Sequence, residues 1–339
     1  MFRPVVTALV PNRRWGRPLI VVAFFCVTSV ACGGSGTPTG PGAVLSQTAR
    51  AHLEQVVGYM QERSLRRLTI DWTDFRTRVF AQAGAAQTIP ELHAAISLAL
   101  SLLNDGHSFY RATDGTVIAP GFRTCEAPAA ATPSLPGGIG YVRVPSFSGS
   151  AAEATNLANA IQQAIREADR DDLAGWIVDV RGNVGGNMWP MIAGVGPVLG
   201  TGVAGYFTHP SNTTEPWGYQ TGASWYNNSV MQPVGFPYRV RRERPRVAVL
   251  TDNAVASSGE AVVIAFRGRT DTRSFGTPTC GRSSANQGFA LNDGAMLLLT
   301  VAVMADRTRT AYGDRVEPDE RVTDPGEAVE RAVAWLRGR

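Results

Sequence analysis

The tract VAVLTDNAVASSGE (247–260) passes from a short β-branched apolar run, through turn residues, into a helix start. It places Ser257 at the mouth of a helix, just after a buried strand. The first N–H groups of a helix have no internal partner and lie at the positive end of its dipole. An oxyanion forming beside Ser257 would meet donors already aimed at it, which is what acyl transfer needs. A serine at this position also caps helices without doing chemistry, and the stretch alone leaves both readings open.

Two other segments carry residues suited to the same reaction. RGNVGG (181–186) follows the apolar run WIVDV (176–180). Its glycines admit backbone angles closed to other residues, so N–H groups of Gly185 or Gly186 can face an oxyanion. A tight strand-to-helix connection gives the same pattern. A phosphate loop is disfavoured, since neither GK[ST] nor G-x-G-x-x-G is present. His107 lies in NDGHS (104–108), a turn where a general base can be presented and where a structural histidine is equally at home. The chain has no lysine: all 32 basic residues are arginine. Arginine stays protonated, so a nucleophile here must be activated by histidine or a carboxylate.

The elements that must position these residues can be read in order. Residues 46–65 fit an amphipathic helix, Asp71 caps a second to about residue 83, and TIPE (88–91) is a capping box opening a third that ends at NDGHS. A small helical domain over 45–112 follows. GIGYVRVPSF (138–147) is a strand, SAAE (150–153) caps a helix to about residue 169, WIVDV is a strand, and a helix starts at Met188. With the strand at 247 and the helix at 258, the alternation predicts an α/β fold with crossover connections. Residues 205–246 break it with aromatic and Asn-rich loop material, an insertion over the site. AMLLLTVAVMADR (295–307) is a long strand, and Pro325 starts a closing helix.

The N-terminus reads as an address. Arg3, Arg13, Arg14 and Arg17 precede LIVVAFFCVTSVA, then Cys32 and GGSGTPTGPG. This is the layout of a signal peptide (1–31) followed by a flexible tether (32–44), with Cys32 the expected lipidation site; an uncleaved anchor or ordinary secretory cleavage are the alternatives. The predicted place is the bacterial cell envelope, lipid-anchored and facing the periplasm or exterior. Losing the four arginines takes the formal charge of +4 to zero, so the balance gives no support for nucleic-acid binding. RVRRER (239–244) is expected on a solvated surface. Cys125 and Cys280 can pair in an oxidising compartment or remain free thiols. The histidines are scattered and no metal-type cluster is visible.

The ordered set DGHS (105–108), GYVRVPSF (140–147), DVRGNVGG (179–186), ASSGE (256–260), GTPTCG (276–281), a DG before the long apolar strand (293–304) and VEPD (316–319) resembles the C-terminal processing, or tail-specific, serine peptidases. It is most similar to the branch that shares its core with tricorn protease. The resemblance implies a ClpP/crotonase-like α/β core (113–339) behind the helical domain, no cofactor, and a peptide or unfolded protein as substrate. Ser257 matches the nucleophile, His107 the base, and Ser258 with Gly185 or Gly186 the oxyanion donors. The chain departs from the family's pattern at several places. The stretch between His107 and Gly138 leaves no room for the PDZ domain usual in Ser/Lys members, and Arg282 falls near their lysine. Tyr312 or Gly313 occupies the place of the branch's glutamate; Glu317 and Asp314 are the nearby carboxylates that could orient the site, and a Ser/His dyad without a third carboxylate is the alternative. The competing readings are a non-catalytic peptide- or small-ligand-binding lipoprotein on the same fold, and an α/β-hydrolase esterase, against which stand the missing G-x-S-x-G and a histidine that precedes the serine.

Overall fold

A computed structural model describes residues 44–339 of the chain. The signal peptide, Cys26, Cys32 and nearly all of the tether lie outside the described residues. Three helices come first: α1 (Gln47–Arg63), α2 (Trp72–Ala83) and α3 (His93–Leu103). Ser46 caps α1 and Asp71 caps α2, each accepting from backbone N–H groups of the first turn. The start of α3 differs from the expectation. Pro90–Leu92 forms a 3-10 turn first, and Glu91 accepts from Gln87 N and Thr88 Oγ1 ahead of it. The helix ends at Asn104, which takes the left-handed conformation and turns the chain into DGHS.

Short strands β1 (Phe109–Arg111) and β2 (Val117–Ile118) lead to the alternating part: β3 (Ile139–Arg143), α4 (Ala151–Ala168), β4 (Gly175–Asp179) and α5 (Met188–Leu199). The predicted SAAE capping box is formed, with Ser150 and Glu153 satisfying each other's backbone. Residues 205–246 are not mainly loop. They belong largely to an antiparallel run, β5 (Gly202–Thr208), β6 (Thr214–Gln220), β7 (Ala223–Tyr226) and β8 (Ser229–Pro233). Their aromatic residues are sheet residues, as their β-propensity permits. The chain continues through β9 (Val247–Thr251), α6 (Ser258–Phe266), β10 (Thr272–Gly276), β11 (Ser284–Ala290), β12 (Met296–Asp306), β13 (Glu320–Arg321) and α7 (Pro325–Leu336).

Two sheets result. One is all parallel, in the order β13-β10-β9-β4-β3. Its central strands are buried on both faces, as an α/β sheet requires. Val178 and Val249 join the core made with α5 and α6, while Ile177 and Leu250 face Ala332 and Leu336 of α7. The other sheet is antiparallel, β2-β1-β12-β5-β6-β7-β8, with β11 also on β12. β12 serves both cores. Leu297 and Leu299 pack with α1, α2 and α3, and Ala302 and Met304 pack with the α/β part. These are the α/β core and N-terminal helices that the sequence predicts.

Candidate active site

Ser257 stands where β9 turns into α6. Asp252 opens the turn by accepting from Ala254 N and Gly182 N. Ala256 N donates to Asn183 O, which ties the turn to RGNVGG. Ser257 then has φ 53° and ψ −115°. A non-glycine residue at positive φ costs on the order of 1–3 kcal/mol and persists only where neighbours enforce it. Glu260 is the enforcer. Its Oε2 accepts from Ser257 N at 2.8 Å, and Ser257 O receives Ala261 N at 3.0 Å. Ser257 and Glu260 have the form of a capping box, and among the described residues the Ser257 hydroxyl donates to no partner. The backbone is anchored by a carboxylate, and the hydroxyl proton is left undonated.

Glu260 is fully buried, and its two oxygens accept four bonds: Thr279 Oγ1 and Gly281 N on one, Ser257 N and Arg282 N on the other. Burial pushes its pKa up, and the four donors oppose that shift. This one side chain fixes the serine turn against the GTPTCGR loop. The loop is also tied by a disulfide between Cys280 and Cys125, whose Cα atoms are 5.3 Å apart.

The glycine turn meets the serine from the other side. A bidentate ion pair from Arg181 to Asp179, both buried, starts the turn. Asn183 Oδ1 then accepts Gly185 N at 2.9 Å, so that amide is spent. Among the described residues, the amides of Gly186 and Ser258 donate to no partner. Ser258 Oγ donates to Gly186 O at 2.6 Å and locks the two free amides to one another's element. Both glycines are required by space as well as by φ. A Cβ on Gly185 would lie 2.8 Å from Ala256 O and 2.9 Å from Ser257 Cβ, and one on Gly186 would lie 1.8 Å from Phe147 O.

His107 is held three ways. Its N–H donates to Asp105 Oδ1, its carbonyl accepts from Asn286 Nδ2, and Nδ1 lies 2.8 Å from Ser284 Oγ. Among the described residues Nε2 has no hydrogen-bond partner, and no hydrogen bond joins His107 to Ser257. The link between them is Ser284, which bonds the imidazole and lines the same cleft as Ser257. Burial, with the Arg282 guanidinium nearby, pushes the His107 pKa down to about 3. The ring is neutral at ordinary pH, the state a base requires. Arg282 stacks over Phe122 at 4.2 Å and donates to Arg123 O.

The cleft has a volume of about 530 Å³ and runs from Ser257, Ser258 and Gly186 past Ser284 to an aromatic wall of Trp189, Phe207 and Tyr226. Its far wall belongs to β5, β6 and β7, the segment expected to cover the site.

Comparison with known proteins places this arrangement. The model of peptidase family S41 matches residues 138–322, more than half of the chain. The chain belongs to peptidase family S41. It is 25% identical to the nisin-resistance protein of Lactococcus lactis subsp. lactis over 270 residues, covering 79% of this chain and 81% of that one. Its fold is similar to that of a lipoprotein from Streptococcus agalactiae, with TM-score 0.69, 21% identity, and 90% and 99% of the two chains covered. It is also similar to the photosystem II D1 C-terminal processing protease, with TM-score 0.54, 16% identity, and 87% and 98% covered.

In this S41 chain the structure gathers Ser257, Ser258 and Gly186 at one cleft, with Ser284 carrying the connection to His107. It gives Asp314 and Glu317 other work. Asp314 pairs with Arg123, and Glu317 lies 3.8 Å from Arg321 with both side chains exposed. Among the described residues neither carboxylate bonds to Ser257, His107 or Ser284. The turn that follows Tyr312 directs them outward. Sequence reasoning did not single out Glu260 or Ser284. Glu260 had a signal, three residues after a helix-capping serine; Ser284 had none, since its neighbour across 177 residues exists only in the fold.

Proposed function

We propose that this S41 chain is an exported serine endopeptidase that works through an acyl-enzyme on Ser257. His107 Nε2 takes the Ser257 proton as Oγ attacks a peptide carbonyl. With Nδ1–H donating to Ser284 Oγ, Nε2 is left as the unprotonated, reacting nitrogen. The oxyanion is met by the amides of Ser258 and Gly186. His107 then returns the proton to the leaving amine, and water repeats the sequence on the acyl group. The Ser257–His107 hydrogen bond forms as substrate closes the cleft, since such bonds are often long in ligand-free sites. The observation that carries this reading is a Ser257 hydroxyl that sits at positive φ with its proton undonated, beside two amides that donate to nothing else.

Export and a lipid on Cys32 are supported by the arginine-flanked apolar run and the small-residue tether, and the similar S. agalactiae protein is described as a lipoprotein. Membership of a peptidase family supports a peptide or protein as substrate. The test is to incubate the chain and its Ser257→Ala and His107→Ala variants with an unfolded protein and a peptide mixture, following the products by mass spectrometry. Cleavage by the unaltered chain alone is the expected result. Cleavage surviving in folded Ser257→Ala sinks the assignment. The second reading, a peptide-binding lipoprotein on this fold, draws on the missing Ser257–His107 bond. It predicts peptide binding and no cleavage by any of the three.

A further inference from the structure

The cleft beside Ser257 holds a titratable cluster that the chemistry above does not use. Glu215 Oε2 accepts from His209 Nε2 at 2.8 Å and from the Tyr226 hydroxyl. All three residues line the cleft together with Ser257. Sheet register puts them there. Met304 pairs with Phe207 across β12 and β5, and Phe207 pairs with Glu215 across β5 and β6. Paired residues point to the same face, so methionine, phenylalanine and glutamate form one row. Tyr226 pairs with Trp217, two residues along β6 from Glu215 and therefore on that same face. Trp189 of α5 closes the wall, its ring 5.9 Å from Tyr226 and 6.4 Å from Phe207.

Three aromatic rings therefore lead to one carboxylate. Only Oε2 of Glu215 is engaged; among the described residues Oε1 has no hydrogen-bond partner, and the side chain is half-buried. Burial opposes ionisation of Glu215, but the bonds from Tyr226 and His209 outweigh it and hold the carboxyl below its usual range. Among the described residues no arginine lines the cleft, and the cation that can face this carboxylate is His209 when it is protonated. An ionised oxygen with a free lone pair, at the end of an aromatic wall, attracts a cation through a charge-assisted hydrogen bond and through ring faces. A glutamate needed only to brace the sheet would be expected to spend both oxygens.

We propose that Glu215 is a specificity-determining residue, by which the cleft selects a substrate carrying a lysine or arginine side chain next to the bond presented to Ser257. The proposal takes its scissile bond from the peptidase reading, but its test does not depend on turnover. The full chain carrying Ser257→Ala is titrated at pH 8 with two fluorescent peptides that differ at one position, lysine in one and norleucine in the other. The lysine peptide binds about tenfold more tightly, the effect of one hydrogen bond to a charged group. Adding Glu215→Gln takes the ratio close to one. A second measurement leaves Glu215 untouched: raising the salt to 1 M shrinks the lysine preference of Ser257→Ala. Equal binding of the two peptides, binding of neither, or a preference that survives both Glu215→Gln and 1 M salt overturns the proposal. A Glu215-dependent preference without cleavage by the unaltered chain would remove the peptidase reading and keep the cation site. Cleavage without the preference would do the reverse.

Discussion

In the proposed mechanism Ser257, His107, Ser284 and Glu260 divide the labour among four side chains, and each division can be tested alone. Ser284 bonds the imidazole of His107 from the wall of the cleft, and the proposed mechanism gives it a positioning role. Ser284→Ala should lower kcat about tenfold or more with little change in KM, because an unheld imidazole loses its tautomer and aim; Ser284→Thr, which keeps the hydroxyl, should restore most of it. Equal kinetics of Ser284→Ala and the unaltered chain would deny it that role. The depressed pKa of His107 has two consequences. The acid limb of kcat/KM should lie well below 6.5, the ordinary imidazole value. Stability carries the matching sign. Between pH 6.5 and about 3 the unfolded chain takes up a proton that folded His107 refuses, so the folded state loses stability as pH falls through that window. His107→Gln should flatten that part of a plot of Tm against pH, and an unchanged slope would contradict the burial argument. Glu260→Ala should unfold the site, since four donors lose their acceptor at about 1–3 kcal/mol each.

At the scale of elements, the site is a meeting of two turns and a loop. The RGNVGG turn packs so closely on the start of α6 that a single methyl group is enough to disturb it. Gly185→Ala should cost about a hundredfold in kcat, because the new Cβ intrudes beside Ser257 and 3.2 Å from Ser258 N. Near-normal turnover by that variant would show that the oxyanion lies elsewhere. The Cys125–Cys280 bridge holds the loop whose amides clamp Glu260. Cys125→Ser with Cys280→Ser should lower stability by about 2–4 kcal/mol, read as a fall in denaturant midpoint. Most elements that carry this site are legible in the sequence. Strands at 176 and 247, and helices starting at 188 and 258, announce themselves by apolar runs with caps at their ends. The antiparallel strands over 202–233 are not legible as such, because Trp217, Tyr219 and Trp225 mix with turn residues and period-2 alternation is broken by two register shifts. Carboxylate roles were the hardest to read. Asp314 and Glu317 lie in sequence near the place of the branch's glutamate and turn outward in space, whereas Glu260 faces inward beneath Ser257.

For the whole molecule, the long strand β12 is the common member. Its first half is part of the helical core and its second half part of the α/β core, with Val301 packed against both. His107 meets Ser284 because β1 pairs with the start of β12 and β11 runs beside it carrying Ser284. A chain cut to residues 113–339 would lose His107 and leave Leu297 and Leu299 without their helical partners. It should aggregate, giving little soluble protein and no cooperative melting. A soluble fragment with a sharp transition would show that the core stands without the helices.

The central claim is that Ser257 is a nucleophile activated by His107. A fluorophosphonate reagent, which loses fluoride as a serine oxygen bonds to phosphorus, tests it without a known substrate. Intact-mass and peptide-level spectrometry should find one adduct, on Ser257, in the unaltered chain and none in folded His107→Ala. No adduct on the folded unaltered chain, or labelling of Ser257 that persists at the same rate without His107, would contradict the account.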